Sequence, residues 1–146
     1  MAAVSGIALL LASCDNYHHD QWVIRQPSPA NVRKVKSVVD VTARESGLRP
    51  ITSPSKVPDT ITCHESEPPF QITLGARKSD GLLIVDLTCF HPGVKPPARY
   101  ATARSAIAAR LHASFGERLE TRAREEVIPI RHASDTAFAA PVPRGD

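Results

Sequence analysis

A hairpin pattern in the middle of the chain constrains the fold more than any other feature. From residue 70 to residue 77, apolar and polar side chains alternate, as in a strand with one buried face. Asp80-Gly81 follows, a dipeptide typical of tight hairpin turns. The return strand, residues 82–90, is apolar at nearly every position, which indicates a central strand covered on both faces. The sequence therefore predicts a β-hairpin in the core.

Two helices are predicted, one before this hairpin and one after it. The first runs from about Pro29 to Ser46, because Ser28 can cap it and proline suits its first position. The second follows Pro96-Pro97. The apolar stripes of the two helices are Val32, Val35, Val39 and Ala43, and Tyr100, Ala103, Ile107, Leu111 and Phe115. Each stripe must be buried, so the expected fold is an α+β two-layer sandwich in the order helix–β-hairpin–helix (αββα).

The end of the second helix has two interpretations. Gly116 favours a break with a further strand beyond it, whereas apolar residues at Leu119 and Ala123 would continue the helical spacing. We favour the break, and residues 127–130 could add a short C-terminal edge strand. The small domain is predicted over residues 28–130, and the Ala- and Pro-containing residues 131–146 are predicted to be a disordered tail.

Composition limits both the size of the protein and its partners. The 146 residues allow one small domain, and 5% aromatic residues indicate a thin core. The net charge is only +3, with scattered basic residues, so a nucleic-acid partner is not expected. The chain has no glycine-rich phosphate loop and no G-x-S-x-G motif, which disfavours nucleotide enzymes and serine hydrolases of the corresponding types.

The N-terminus carries an apolar run, residues 7–11, that ends in two small residues and a cysteine. Leu11-Ala12-Ser13-Cys14 resembles the lipobox of bacterial lipoprotein signal peptides. The resemblance implies that residues 1–13 are removed as a signal peptide and that the Cys14 thiol is acylated, which anchors the chain to a lipid bilayer. The alternative is an ordinary helix start that ends in a free cysteine. A transmembrane anchor is disfavoured because a spanning helix needs about 20 apolar residues.

The lipobox resemblance also implies a location. The protein would lie in the bacterial cell envelope on the periplasmic side, and Asp15 after the lipidated cysteine slightly favours the inner membrane. Residues 14–27 are interpreted as a tether between lipid and domain. Within this tether, His18-His19-Asp20 could hold an ion, although a solvated pair of histidines is the more common case.

If Cys14 is lipidated, two cysteines remain. Cys63 and Cys89 are then expected to form a disulfide, because an even number of cysteines in an oxidising compartment usually pairs. The alternatives are two free thiols, or a metal site in which His64 and His91 join the cysteines to give the ligand count of structural zinc.

No residue pattern identifies a catalytic group. Asp86 is the odd residue in an apolar strand and is interpreted as facing solvent or a helix N-terminus, while Glu65 and Glu67 have no recognisable partner. The predicted function is a membrane-anchored interaction or assembly module of the envelope, without cofactor or catalysis, which contacts an unknown envelope protein through a sheet edge or helix face. The alternatives are a small metal-binding or hydrolytic protein that uses the cysteine and histidine cluster, and a module that binds a ligand in an apolar pocket.

Overall fold

The computed structural model describes residues 16–51, 59–67, 71–91 and 95–124. Along these ranges the elements are β1 (Asn16–Arg25), α1 (Pro29–Glu45), β2 (Arg49–Pro50), β3 (Thr60–Glu65), β4 (Gln71–Ser79), β5 (Leu82–His91), α2 (Ala98–Phe115) and β6 (Leu119–Arg124). The strands form one antiparallel sheet in the order β2-β3-β4-β5-β1-β6.

The predicted hairpin is confirmed. Ser79 pairs with Leu82, so only two residues connect β4 to β5. Both of them have positive φ, 50° for Asp80 and 73° for Gly81, which is the turn geometry that matches the twist of paired strands. β5 lies inside the sheet, as predicted, but the helices cover only one of its two faces.

The two helices are also confirmed. The Ser28 hydroxyl accepts a hydrogen bond from the backbone N–H of Asn31 at 3.2 Å and so caps α1. The predicted stripe of α2 is buried along its whole length. α2 ends at Phe115, Gly116 has a φ of 54°, and β6 begins at Leu119, which confirms the break. Residues 127–130 and 131–146 lie outside the described residues.

The predicted helix–hairpin–helix order is wrong, because the sheet has more strands than the central hairpin. The largest difference is β1, which covers most of the predicted tether 14–27 and pairs with β5 on one side and β6 on the other. The alternation of apolar and polar residues in β1 is not visible in the sequence, because the side that faces the helices carries His18 and Asp20 beside Trp22 and Ile24. Two polar residues on that side hide the period of the strand.

Both helices pack on the same face of the sheet, where the core lies. α1 contacts β3, β4 and β5, whereas α2 contacts β1 and β6. The fully buried side chains of this core include Trp22, Ile24, Val35, Val39, Leu74, Leu83, Val85, Leu87, Ile107 and Leu111. In the part of the chain that the structure describes, no helix is both long and apolar enough to cross a bilayer.

Neither helix contacts the other face of the sheet, which we call the open face. Strand alternation and register assign its residues. They include Tyr17, His19, Gln21, Val23, Arg25, Cys63, Thr73, Gly75, Arg77, Ile84, Asp86, Thr88, Phe90, Glu120 and Arg122. This face contains both apolar and charged side chains, and Arg77 and Asp86 meet near its middle, on β4 and β5.

Candidate functional site

Asp86 is the centre of a hydrogen-bonded cluster on the open face. His19 donates from Nε2 to Asp86 Oδ1 at 2.8 Å, and Gln21 donates from Nε2 to the same oxygen at 2.9 Å. Arg77 donates from Nε to Oδ2 at 3.1 Å. The Asp86 side chain is 23% exposed. Three donors therefore hold the carboxylate in one orientation at the surface of the sheet.

Strand register explains why these four side chains meet. Gln21 on β1 and Gly75 on β4 both lie directly opposite Asp86 on β5. His19 and Arg77 lie two residues from those positions, within reach of a diagonal contact. Of the two strands beside β5, β1 thus supplies two donors and β4 supplies one donor to a single acid.

A shallow pocket of about 190 Å³ lies beside this cluster. Its lining residues are Thr60, Thr62, Cys63, Thr73, Gly75, Ala76, Arg77, Asp86 and Thr88. A Cβ atom at Gly75 would lie 3.2 Å from the carbonyl oxygen of Thr62 and 3.3 Å from Cys63 Sγ. The glycine therefore keeps the floor of the pocket open.

Several hydrogen-bonding groups at the pocket are unused. Within the described residues, Thr73 and Thr88 make no side-chain hydrogen bond, and Arg77 uses only its Nε atom. The two Nη groups of Arg77 remain as donors, while both oxygens of Asp86 are engaged. The pocket can therefore donate hydrogen bonds to a ligand that carries acceptors, such as a carboxylate or a carbonyl group.

The thiol in this pocket is poorly suited to covalent chemistry. Burial first, and then the charge of Glu65, raise the pKa of Cys63 above its ordinary value. A raised pKa keeps the sulfur protonated at neutral pH, and the protonated thiol is a weak nucleophile. A nucleophilic role for the Cys63 thiol at neutral pH is therefore disfavoured.

The structure contains no disulfide between Cys63 and Cys89, and both thiols are free. Cys63 lies on the open face, whereas Cys89 is buried in the core on the face that the helices cover. β4 separates their two strands, which places the chains about 9.5 Å apart, beyond the limit of about 7 Å between Cα atoms for a bridge. Burial raises the pKa of Cys89 to about 11.

The alternative zinc site does not assemble either. His64 follows Cys63 on β3, so its side chain points to the opposite face of the sheet. His91 pairs with Asn16 at the far end of β5. Among the residues that the structure describes, no three cysteine, histidine or acidic side chains are grouped as metal ligands. The structure thus does not bring the predicted metal cluster together.

Instead, His64 joins a cluster between β3 and α1. Its Nε2 atom lies 2.9 Å from Asp40 Oδ1, and Thr62 donates to the same oxygen at 2.6 Å. Lys36 pairs with the other oxygen of Asp40. Burial alone would raise the pKa of Asp40, but hydrogen bonds from Lys36, Thr62 and His64 lower it to about 2. Asp40 therefore stays charged at neutral pH.

This cluster does not have the geometry of a catalytic triad. In a triad the acid and the nucleophile use different ring nitrogens of the histidine. Here Asp40 and Thr62 both lie near Nε2 of His64, while Nδ1 is buried without a hydrogen-bond partner among the described residues. The cluster accordingly links α1 to β3.

The predicted ion site at His18-His19-Asp20 is divided between the two faces of β1. His19 belongs to the Asp86 cluster on the open face. Asp20 points toward α2 and accepts hydrogen bonds from Tyr100 Oη at 2.7 Å and Arg104 Nε at 2.9 Å. The three residues therefore do not converge on one ion.

Comparison with known proteins found no matching family model and no matching curated protein. Any functional conclusion therefore rests on the geometry of the site and on the N-terminal sequence.

Proposed function

We propose that the protein is a lipid-anchored binding module of the bacterial cell envelope. Its open face holds an acidic side chain of a partner protein, and it performs no catalysis. One observation carries this proposal: Arg77, Thr73 and Thr88 line the pocket and have hydrogen-bond donors that no described residue uses. Asp86, the acid beside them, is already held by three hydrogen bonds. The resemblance of Leu11-Ala12-Ser13-Cys14 to a lipobox supports the anchor and the location.

The size of the pocket favours a protein partner. Small-molecule sites usually enclose about 300–1,000 Å³, whereas this depression measures about 190 Å³. A single side chain at the centre of a larger interface fits such a space. The Nη groups of Arg77 form a planar pair of donors that matches a carboxylate.

Cross-linking in the native host tests the proposed partner site. A photo-reactive phenylalanine analogue at Phe90, exposed on the open face and outside the pocket lining, is expected to give an adduct of defined mass with one envelope protein. The same amino acid at Ser105, exposed on α2, serves as the control. Equal labelling from both positions, or no adduct from Phe90, would contradict the open face as the binding surface.

The captured protein can then be purified for affinity measurements. We expect Arg77→Ala to weaken binding about 30-fold or more, the effect of losing one central interface residue. Arg122→Ala removes an exposed arginine of the same face that donates to Glu120 and does not line the pocket. If the two substitutions weaken binding equally, the pocket is not the contact point.

The proposed anchor has its own test. Cys14→Ser is expected to abolish the mass increase that acylation gives and to leave residues 1–13 attached. Cys63→Ser is the matched control and should leave acylation and the removal of residues 1–13 unchanged. An unmodified full-length mass in the wild-type protein would refute lipidation at Cys14.

A further inference from the structure

The two helices carry the net positive charge of the protein. They contain seven lysines and arginines and only two acidic residues, a net formal charge of +5. The whole chain has 18 basic and 15 acidic residues, so the remaining residues together carry −2. Because both helices lie on one face of the sheet, the charge is concentrated on one side of the molecule.

Part of this charge is neutralised by neighbouring acids. Lys36 pairs with Asp40, Arg110 pairs with Glu45 of the other helix, and Arg104 pairs with Asp20 beneath it. Four further cations are exposed and have no acidic partner in the described ranges, and we call them the basic helix surface: Arg33, Lys34, Arg44 and Arg99.

We infer that the basic helix surface binds an anionic lipid bilayer. Exposed lysines and arginines are attracted to anionic headgroups over about one Debye length. The two helices pack side by side on the sheet and present these cations from two neighbouring elements. Charge complementarity with anionic headgroups therefore identifies the occupant.

Two other classes of partner fit less well. Single-stranded nucleic acid usually needs exposed aromatic side chains for base stacking, and the two aromatic residues of the helices, Tyr100 and Phe115, are buried. A protein interface usually has an apolar centre. Among the described residues of the two helices, Val41 is the one large hydrophobic side chain that is exposed, at 38%. The helices therefore offer no apolar centre for a protein interface.

Membrane contact through the helices would have a consequence for the proposed partner site. The basic helix surface and the Asp86 cluster lie on opposite sides of the sheet. A protein lying with its helices on the bilayer would present the open face away from the lipid. This orientation rests on the proposed function, whereas the lipid-binding surface does not.

Vesicle sedimentation tests the inference with the full chain carrying Cys14→Ser, which cannot be acylated at this position. We expect stronger binding to vesicles of phosphatidylcholine mixed with phosphatidylglycerol than to phosphatidylcholine alone, and we expect salt to reduce the difference. Each basic residue at an anionic surface strengthens binding roughly fivefold. The double substitution Arg33→Glu and Arg44→Glu should therefore weaken binding to the mixed vesicles at least tenfold.

A matched double substitution separates this surface from general attraction. Arg25→Glu and Arg122→Glu make the same change of charge at exposed positions of the open face, and they should leave binding nearly unchanged. Equal loss from both pairs, or equal binding to both vesicle types, would overturn the inference. If the glutamate pair fails to fold, Arg33→Gln with Arg44→Gln must show about half the logarithmic loss. The assay needs neither acylation nor the pocket, so its failure leaves the proposed function untouched.

Discussion

Replacing Trp22 with alanine is expected to lower the free energy of unfolding by about 3–5 kcal/mol, the range for truncating a buried aromatic side chain. Trp22 is 1% exposed and lies in the core between β1 and the helices. Truncation removes its apolar surface from the core and leaves a cavity that the surrounding elements fill only in part. Urea unfolding followed by circular dichroism measures the change.

Phe90→Ala is the control for this experiment. Phe90 lies on the open face, is 39% exposed and packs against Tyr17 with ring centroids 4.9 Å apart. Its loss should cost about 1 kcal/mol, close to the value of one aromatic pair. A similarly small effect of Trp22→Ala would mean that β1 is not part of the core, and the interpretation of residues 14–27 as a tether would regain support.

Local patterns were sufficient to predict the hairpin and the helices. Asp80-Gly81, the Ser28 cap and the apolar stripe of α2 each depend on residues within a few positions of one another, and the structure contains all of them. Such features can be recognised without knowledge of the fold, because the residues that cause each of them lie within one short segment of the sequence.

β1 could not be recognised, because its stability comes from distant residues. Asp20 would be costly in a core without its partners, and those partners, Tyr100 and Arg104, lie 80 and 84 residues away. Read alone, the segment lacks an apolar face. The omission of β1 then made the helix–hairpin–helix fold the simplest arrangement that buried both helices.

The candidate site was missed for the same reason. Asp86 stood out as an acid within an apolar strand, but two of its three donors, His19 and Gln21, belong to β1. The disulfide prediction was wrong for a different reason, because a disulfide between two strands requires that those strands be neighbours in the sheet. Cys63 faces Gly75 on β4 and not a residue of β5. Which strands pair, and which face of the sheet a side chain occupies, depend on the whole sheet. The number of cysteines in a sequence therefore cannot predict whether two of them meet.

Replacing Asp20 with alanine is the second large change that we expect, a loss of about 1.5–3 kcal/mol in the free energy of unfolding, the range for hydrogen bonds to a charged group. Asp20 is 7% exposed and joins β1 to α2 through Tyr100 and Arg104. The loss should be smaller than for a fully buried ion pair, because the Arg104 side chain is 50% exposed and can turn to water.

A double-mutant cycle separates the two bonds of Asp20. Tyr100→Phe removes only the hydroxyl group and leaves the contact with Arg104. The cost of Asp20→Ala should therefore fall by about 1 kcal/mol when Tyr100 is already phenylalanine. Strict additivity of the two substitutions would contradict the bond between Tyr100 and Asp20. Lys78→Ala, at an exposed position of β4 two strands from β1, should add independently to either substitution.

The same bond predicts how stability depends on alkaline pH. Burial, followed by the hydrogen bond to Asp20, raises the pKa of Tyr100 well above its ordinary value of 10.0. The unfolded chain then loses this proton at a lower pH than the folded protein does. The stabilising contribution is thus fully present below about pH 10 and declines as the pH rises further. Tyr100→Phe should lose less stability than the wild type over that alkaline range, and identical pH profiles would show that Tyr100 is not held as a buried donor to Asp20.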